Sequence, residues 1–428
     1  MNLIKDPRQG AGKVLGVIRA FIREHVMLVA MLLITSLICI GLIYYTGLTY
    51  MPDMLLYSGS LVIFYFLFAN LAKRTSGKLD KILNIRFTKS EKTVTWLSFG
   101  FLGAGVVFII YHLIYLKNIP VWTAYNSLDY YGIALIRQGI TEHHNSFIHY
   151  TSSFLLKAIL PFLVLFFFIK KRWLFWILLP IAIFYAMAMM QKGLVVSQVL
   201  PLIVFLFIKR RYILSGVFIL VAVAGVLALI VNASPNLRAS EEDISAYMAA
   251  HRRAYVPQKT KVAITESMAS TSNALFERIV FTTGRDVGRW FTLIPSQLPY
   301  ANGCGYRFLA PVLGCDSKDY EYDRVIWDNL YIVEYNEGLR GTVTSAYFMY
   351  DYANFGKAGL VLAGFLLAFV FVLLKIVFEG HAQWLASLNI LYTLWLSNVA
   401  LYSLLLSGGW VLTILLFWLF RPALETGK

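Results

Sequence analysis

Residues 194–233 decide the fold: they read LVVSQVLPLIVFLFI, then Lys209-Arg210-Arg211, then YILSGVFILVAVAGVLALIVNA. The second run carries no charge and is long enough for one helix to cross about 30 Å of hydrocarbon. The three cations between the runs mark a turn at a membrane surface, where Lys and Arg collect on the cytoplasmic side. The same alternation of apolar run and short turn extends in both directions. Spans are predicted near 26–47, 54–72, 96–116, 151–169, 173–190, 194–208, 212–233, 353–378, 382–401 and 404–420. The last two form one apolar stretch, Ser387 to Phe420. As a single helix it would be about 51 Å long, so a turn is placed near Leu401–Ser407. Gln191-Lys192-Gly193 splits spans five and six in the same way.

Composition agrees with this reading. The chain is 59% hydrophobic and 14% charged, whereas an average soluble domain carries about 25% charged residues. The formal charge of +15 follows the short loops, which makes it a topology signal and excludes a nucleic-acid partner. Lys5, Arg8, Lys13, Arg19 and Arg23 lie before the first span, and seven more cations run from Lys73 to Lys92. Lys170-Lys171-Arg172 is a third basic turn. The alternate segments hold few cations. Both termini are therefore expected in the cytoplasm, with loops 117–150 and 234–352 facing outward.

The predicted organisation follows from these spans. Residues 1–25 form a cytoplasmic interfacial helix with Val14, Val17, Ile18, Phe21 and Ile22 on one face and Lys13, Arg19 and Arg23 on the other. The first apolar run is too long for a cleavable signal peptide and lacks a small-residue cleavage site. Residues 26–233 hold seven spans, 234–352 the large loop, 353–420 the C-terminal spans and 421–428 a cytoplasmic tail. The fold class is an all-α integral membrane protein of about ten transmembrane helices, with one long and one shorter outward loop.

Cys304 and Cys315 lie in the large loop within Gly-Cys-Gly-Tyr and Leu-Gly-Cys-Asp, a spacing that suits a disulfide in an oxidising compartment. The cytoplasmic loops have no Gly-rich phosphate cradle, so no nucleotide site is expected there. The chemistry is expected in the outward loops, and above all in Phe276 to Phe291. In a helix, Arg278, Arg285 and Arg289 stand at i, i+7 and i+11, within about 40° of one another. Such a stripe of guanidiniums suits a diphosphate, while Phe276, Ile279, Trp290 and Phe291 bury the segment. Ile279, Val280, Thr282, Thr283 and Gly284 can instead break the helix, which leaves only Arg285 and Arg289 paired. The plainer alternative is a basic interfacial helix on lipid phosphates.

His143, His144 and His149 lack the accompanying ligands of a metal site and read as solvated or glycan-contacting. Asp316, Asp319, Glu321 and Asp323 read as a solvated acidic face rather than a calcium loop. Lys157 inside span four and Lys192 at the outer mouth of spans five and six stand out, because an embedded lysine is costly. An anionic lipid headgroup is a natural partner for them, and snorkelling to the interface is the alternative.

The chain resembles the Wzy-type O-antigen (oligosaccharide repeat-unit) polymerases. The resemblance rests on the outward loop around Arg137, Gln191-Lys192-Gly193, the Arg278-to-Phe291 segment, and the return to the membrane. That return runs from Gly341-Thr342-Val343-Thr344-Ser345-Ala346-Tyr347 through Asn354-Phe355-Gly356-Lys357-Ala358-Gly359. It covers nearly the whole chain through topology and motif order. The related O-antigen ligases typically carry a functional His in the large loop, where this chain has only His251.

The resemblance implies a bacterial inner-membrane enzyme that joins polyprenyl-diphosphate-linked repeat units on the periplasmic side. It implies no cofactor, and as partners the lipid-linked glycans, membrane lipids, a chain-length regulator and a flippase. Arg137, Arg278, Arg285, Arg289, Arg340 and Lys192 are the diphosphate-binding candidates, and Arg278, Arg289, Glu277 and Glu337 the catalytic ones. For the general base, Glu277, Asp286, Glu334 and Glu337 stay open. The competing activities are ligation to a lipid A-type acceptor and transport of lipid-linked oligosaccharide. A transporter calls for mid-membrane charge and repeated halves, and the chain offers mainly Lys157 and no repeat.

Overall fold

The structure is a computed structural model that describes residues 16, 20–83, 91–141, 145–237, 239–250, 281–336 and 338–425. All regular elements among these residues are helical. In chain order they are α1 (Val26–Thr46), α2 (Met51–Leu83), α3 (Glu91–Tyr115), α4 (Pro120–Asn126), α5 (Tyr130–Thr141) and α6 (Ser146–Phe154). Next come α7 (Leu160–Lys170), α8 (Arg172–Ala188), α9 (Lys192–Ile208), α10 (Tyr212–Ala233), α11 (Glu241–Ala250) and α12 (Thr283–Leu293). The short helices α13 (Ala310–Leu313), α14 (Tyr322–Leu330), α15 (Ile332–Asn336) and α16 (Tyr347–Phe355) precede α17 (Lys357–Val377). The chain ends in α18 (Ala382–Trp395), α19 (Leu401–Leu405) and α20 (Trp410–Glu425).

Among the described residues, seven helical segments are long and apolar enough to cross a membrane. They are Val26–Thr46, Met51–Arg74, Lys92–Tyr115, Ser146–Lys170, Tyr212–Ala233, Lys357–Val377 and Leu401–Leu424. The other three expected spans are short. Trp173–Ala188 and Lys192–Ile208 are apolar but under 18 residues, and α18 has 14. At 1.5 Å per residue, α18 is about 21 Å long. The apolar run continues past its end, but the helix stops at Trp395 and resumes at Leu401 and again at Trp410. The expected single turn near Leu401–Ser407 is thus two breaks. The span expected from 353 begins instead at Lys357, because α16 is a separate helix ending at Gly356. Most of the 1–25 interfacial helix lies outside the described residues, as do residues 84–90.

The helices pack where small residues allow it. A Cβ on Gly364 of α17 would stand 2.0 Å from Ser60 Oγ and 2.7 Å from the Leu61 backbone nitrogen of α2. Only glycine lets these two helices touch so closely. Tyr57 and Tyr347 join their hydroxyls at 2.9 Å in the same interface. At the centre, α7 is buried from Leu160 to Phe167.

Between α6 and α7 the helix widens into a π turn, Leu155–Ile159. Its cause is local. Pro161 has no N–H to give Lys157, the residue four before it. The Leu160 amide bonds back to the Leu155 carbonyl. The freed Leu156 carbonyl accepts from Gln198 Nε2 at 2.8 Å and the Lys157 carbonyl from Tyr392 Oη at 2.9 Å. Side chains from α9 and α18 thereby satisfy backbone groups that hydrocarbon would leave bare.

The two ends of the bundle differ. At one, Lys375 of α17 meets Glu24 at 2.8 Å and Lys73 of α2 approaches it at 4.0 Å. At the other, α12, α14, α16 and the 396–409 breaks gather over the helix ends. Loop 117–150 reaches the same end, where the Arg340 amide donates to Gln138 Oε1 at 3.3 Å.

Candidate functional site

The end of the bundle away from Lys375 and Glu24 is built on α12. Gly284 and Gly288 face α1, and a Cβ on Gly284 would lie 2.3 Å from the Leu42 nitrogen. Gly284 therefore does not break the helix; it seats it. Trp290 and Phe291 are buried. The Trp290 indole donates to the Val343 carbonyl at 3.1 Å, and Phe291 stacks on Tyr50 at 4.8 Å. This tethers the 341–346 strand of chain that returns to the membrane.

The loop after α12 hangs on the end of α16. The amides of Ala301 and Asn302 donate to the Ala353 and Asn354 carbonyls at 2.9 and 3.0 Å, which caps a helix end otherwise left open. Asn354 Oδ1 accepts from the Gly303 and Gly305 amides, each at 3.1 Å. Cys304 and Cys315 are bonded to each other, with Cα atoms 6.0 Å apart. The Tyr306 hydroxyl donates to Asp351, and Tyr322 to the Pro299 carbonyl.

These elements enclose an open cavity of about 800 Å³. Its floor includes Trp290, Tyr350 and Asn354; Tyr150 and Phe154 of α6 form one wall, and Tyr402, Ser403 and Leu406 another. Its charges come from Arg307, Glu321, Asp323 and Arg324. Glu321 holds both guanidiniums, Arg307 Nη2 at 2.6 Å and Arg324 Nε at 3.1 Å. That bond raises the Arg307 guanidinium further above its usual range. Burial pushes the Asp323 carboxyl up, although the Arg324 amide donates to it at 3.0 Å. The cavity thus holds two forked cations, a carboxylate bridging them, and a second carboxyl that gives up its proton reluctantly. Such a set can receive a polyanion and exchange a proton.

The expected arginine stripe is divided. Arg285 and Arg289 share one face of α12, yet both turn to Asp286, at 3.5 and 3.1 Å, and neither lines the cavity. Burial raises Asp286 despite both arginines. Arg340 lies 3.9 Å over the ring of Tyr335 and bonds the Tyr335 and Leu339 carbonyls, each at 3.1 Å. Arg137 on α5 and Lys192 at the start of α9 are exposed and also stand outside the cavity lining. Glu277, Arg278, Glu337, His143, His144 and His251 lie outside the described residues, as does the side chain of Glu334. The stretch from Asp316 to Asp323, read as a solvated face, instead supplies two of the cavity carboxyls. Arg307, Arg324, Tyr306 and Asp351 escaped the sequence reading altogether. The density of Tyr between 300 and 335 was the available signal.

Asp351 makes a pH prediction. Burial raises its carboxyl from 3.8 to about 7, with the Tyr306 hydrogen bond opposing. A carboxyl raised on folding keeps its proton in the folded state where the unfolded chain has lost it. Its stabilising contribution is full below 3.8 and disappears as pH rises through about 7. Asp351→Asn is expected to flatten the fall in Tm across that interval, read by thermal unfolding in detergent. An unchanged slope contradicts the assignment.

Compared with known proteins, the chain matches no family model, no curated protein and no solved structure.

Proposed function

We propose that this protein is a membrane glycan polymerase that joins polyprenyl-diphosphate-linked oligosaccharide repeat units. The observation that carries this reading is the cavity itself. Paired arginines, a proton-exchanging carboxyl and aromatic walls meet where the spans end, the level at which a lipid diphosphate meets water. The cavity end is taken as the outer face of a bacterial inner membrane, with both termini cytoplasmic, following the distribution of cations in the short loops.

In this mechanism the donor diphosphate displaces Glu321 and takes the forks of Arg307 and Arg324. The acceptor sugar hydroxyl loses its proton to Asp323, whose raised affinity for protons suits a base. The hydroxyl oxygen bonds to the donor's anomeric carbon as the bond from that carbon to the diphosphate oxygen breaks. The lipid diphosphate leaves with its charge held by both arginines. Tyr150, Tyr320 and Tyr402 offer faces for sugar rings.

Purified protein in detergent, given lipid-diphosphate repeat units alone, is expected to lengthen them without nucleotide. Lengthening that needs a lipid A-type acceptor would reassign the protein as a ligase. Transfer of intact lipid-linked units across vesicle bilayers without lengthening would make it a transporter.

A further inference from the structure

A second, smaller cavity lies behind α6, within the bundle. Helical spacing divides α6 between the two: Tyr150 and Phe154, four apart, face the large cavity, while His149, Ser152 and Ser153 line the small one. Its volume is about 60 Å³. Lys157 enters it from the π turn, and Gln191 from the turn between α8 and α9. π turns recur at functional positions because the extra residue redirects a side chain.

Among the described residues, every polar side chain on this wall carries a hydrogen-bond donor, and no carboxylate lines it. Ser152 Oγ accepts from Tyr185 Oη at 3.1 Å, which leaves its own proton to give. The positive end of α9 opens on the same space: its cap residue Gln191 makes no side-chain capping bond, and Leu194 of its first turn lines the cavity. Lys157 has the Trp395 ring at 5.9 Å beside it. A lysine at this depth, among donors and with no carboxylate among the described lining residues, calls for an anion from outside the chain.

We propose that this cavity binds a phosphate group, the diphosphate headgroup of a second polyprenyl lipid, with Lys157 as its principal ligand and His149 and Ser152 beside it. This role rests on the polymerase reading, since a reaction that joins two lipid-linked units must hold two headgroups side by side. The two cavities are adjacent through α6, where Ser153 Oγ donates to the Ser407 carbonyl at 2.9 Å. Ser407 lines the large cavity and Ser153 the small one.

The test titrates purified full-length protein in detergent with farnesyl diphosphate, and separately with inorganic diphosphate, by calorimetry. In the Arg307→Ala/Arg324→Ala background, one equivalent of farnesyl diphosphate is expected to remain bound. Adding Lys157→Ala should weaken it by about tenfold or more, and Lys157→Arg should largely restore it. Inorganic diphosphate bound with the same Lys157 dependence would keep the site and make the free anion its source. Binding unchanged by Lys157→Ala overturns the site. Should that variant not fold, His149→Ala with Ser152→Ala provides the same reading, and unchanged binding there is equally fatal. If Arg307→Ala/Arg324→Ala lengthens glycans normally while the Lys157 dependence holds, the polymerase site is wrong and the phosphate site stands.

Discussion

Replacing Arg307 and Arg324 together by alanine is expected to slow lengthening by about 10⁴-fold, since each lost donor to a developing anion costs about 10²–10³. Each single variant should fall about 100-fold or more. The two guanidiniums now share Glu321, so the double change also strands that carboxylate at the cavity rim. Glu321→Gln separates the effects: it leaves both forks and removes their internal competitor, so substrate should bind more tightly while the rate changes little. Initial rates measured with lipid-linked repeat units, alongside Tm for each variant, decide the matter. Wild-type rates in a folded double variant would remove the cavity from the chemistry. Arg289→Ala is the contrast: its partner is Asp286 on its own helix, and its loss should lower Tm more than it lowers rate.

The largest expected effect on folding comes from Gly284→Val. Even a Cβ there would stand 2.3 Å from the Leu42 nitrogen and 2.4 Å from the Gly41 carbonyl carbon, both backbone atoms that cannot swing aside. The helix α12 would have to leave α1, taking Trp290 out of the cavity floor. Overpacking costs about 1–3 kcal/mol where neighbours can yield, and here the loss should exceed that range. Little monodisperse protein is expected on size exclusion. Gly139→Ala, with open space around it, should behave like the parent or melt slightly higher, as alanine favours a helix by about 1 kcal/mol over glycine. Equal yields from both variants would contradict the close α1–α12 contact.

The helical membrane character was legible because apolar runs report directly on burial in lipid or in a core. The break at Gln191-Lys192-Gly193 was legible, because α8 and α9 divide there; run length misled at 382–401, where composition is continuous but the helix ends at Trp395. Met190, with φ +55, makes the turn between α8 and α9 beside the Gln191-Lys192-Gly193 break. The arginine stripe was legible as geometry but not as function. Asp286 between Arg285 and Arg289 already offered both an internal partner. The cavity itself was not legible: Arg307 lies in a turn, and Glu321, Asp323 and Arg324 cluster at the start of the short helix α14. They converge only because the 301–305 loop is pinned to the end of α16, and Asp323 to Val343 through a 2.8 Å backbone bond.

The π turn before α7 has one more consequence, which concerns the reading frame of the helix rather than its hydrogen bonds. One residue beyond the usual count advances every later side chain by about 100° around the axis. The face of α6 that divides two cavities and the buried Leu160–Phe167 cylinder of α7 are therefore phased independently along one continuous rod. A single-codon deletion at Ala158 would leave the rod nearly as long while rotating one half against the other. It would misdirect Tyr150, Phe154 and His149 without touching any of them.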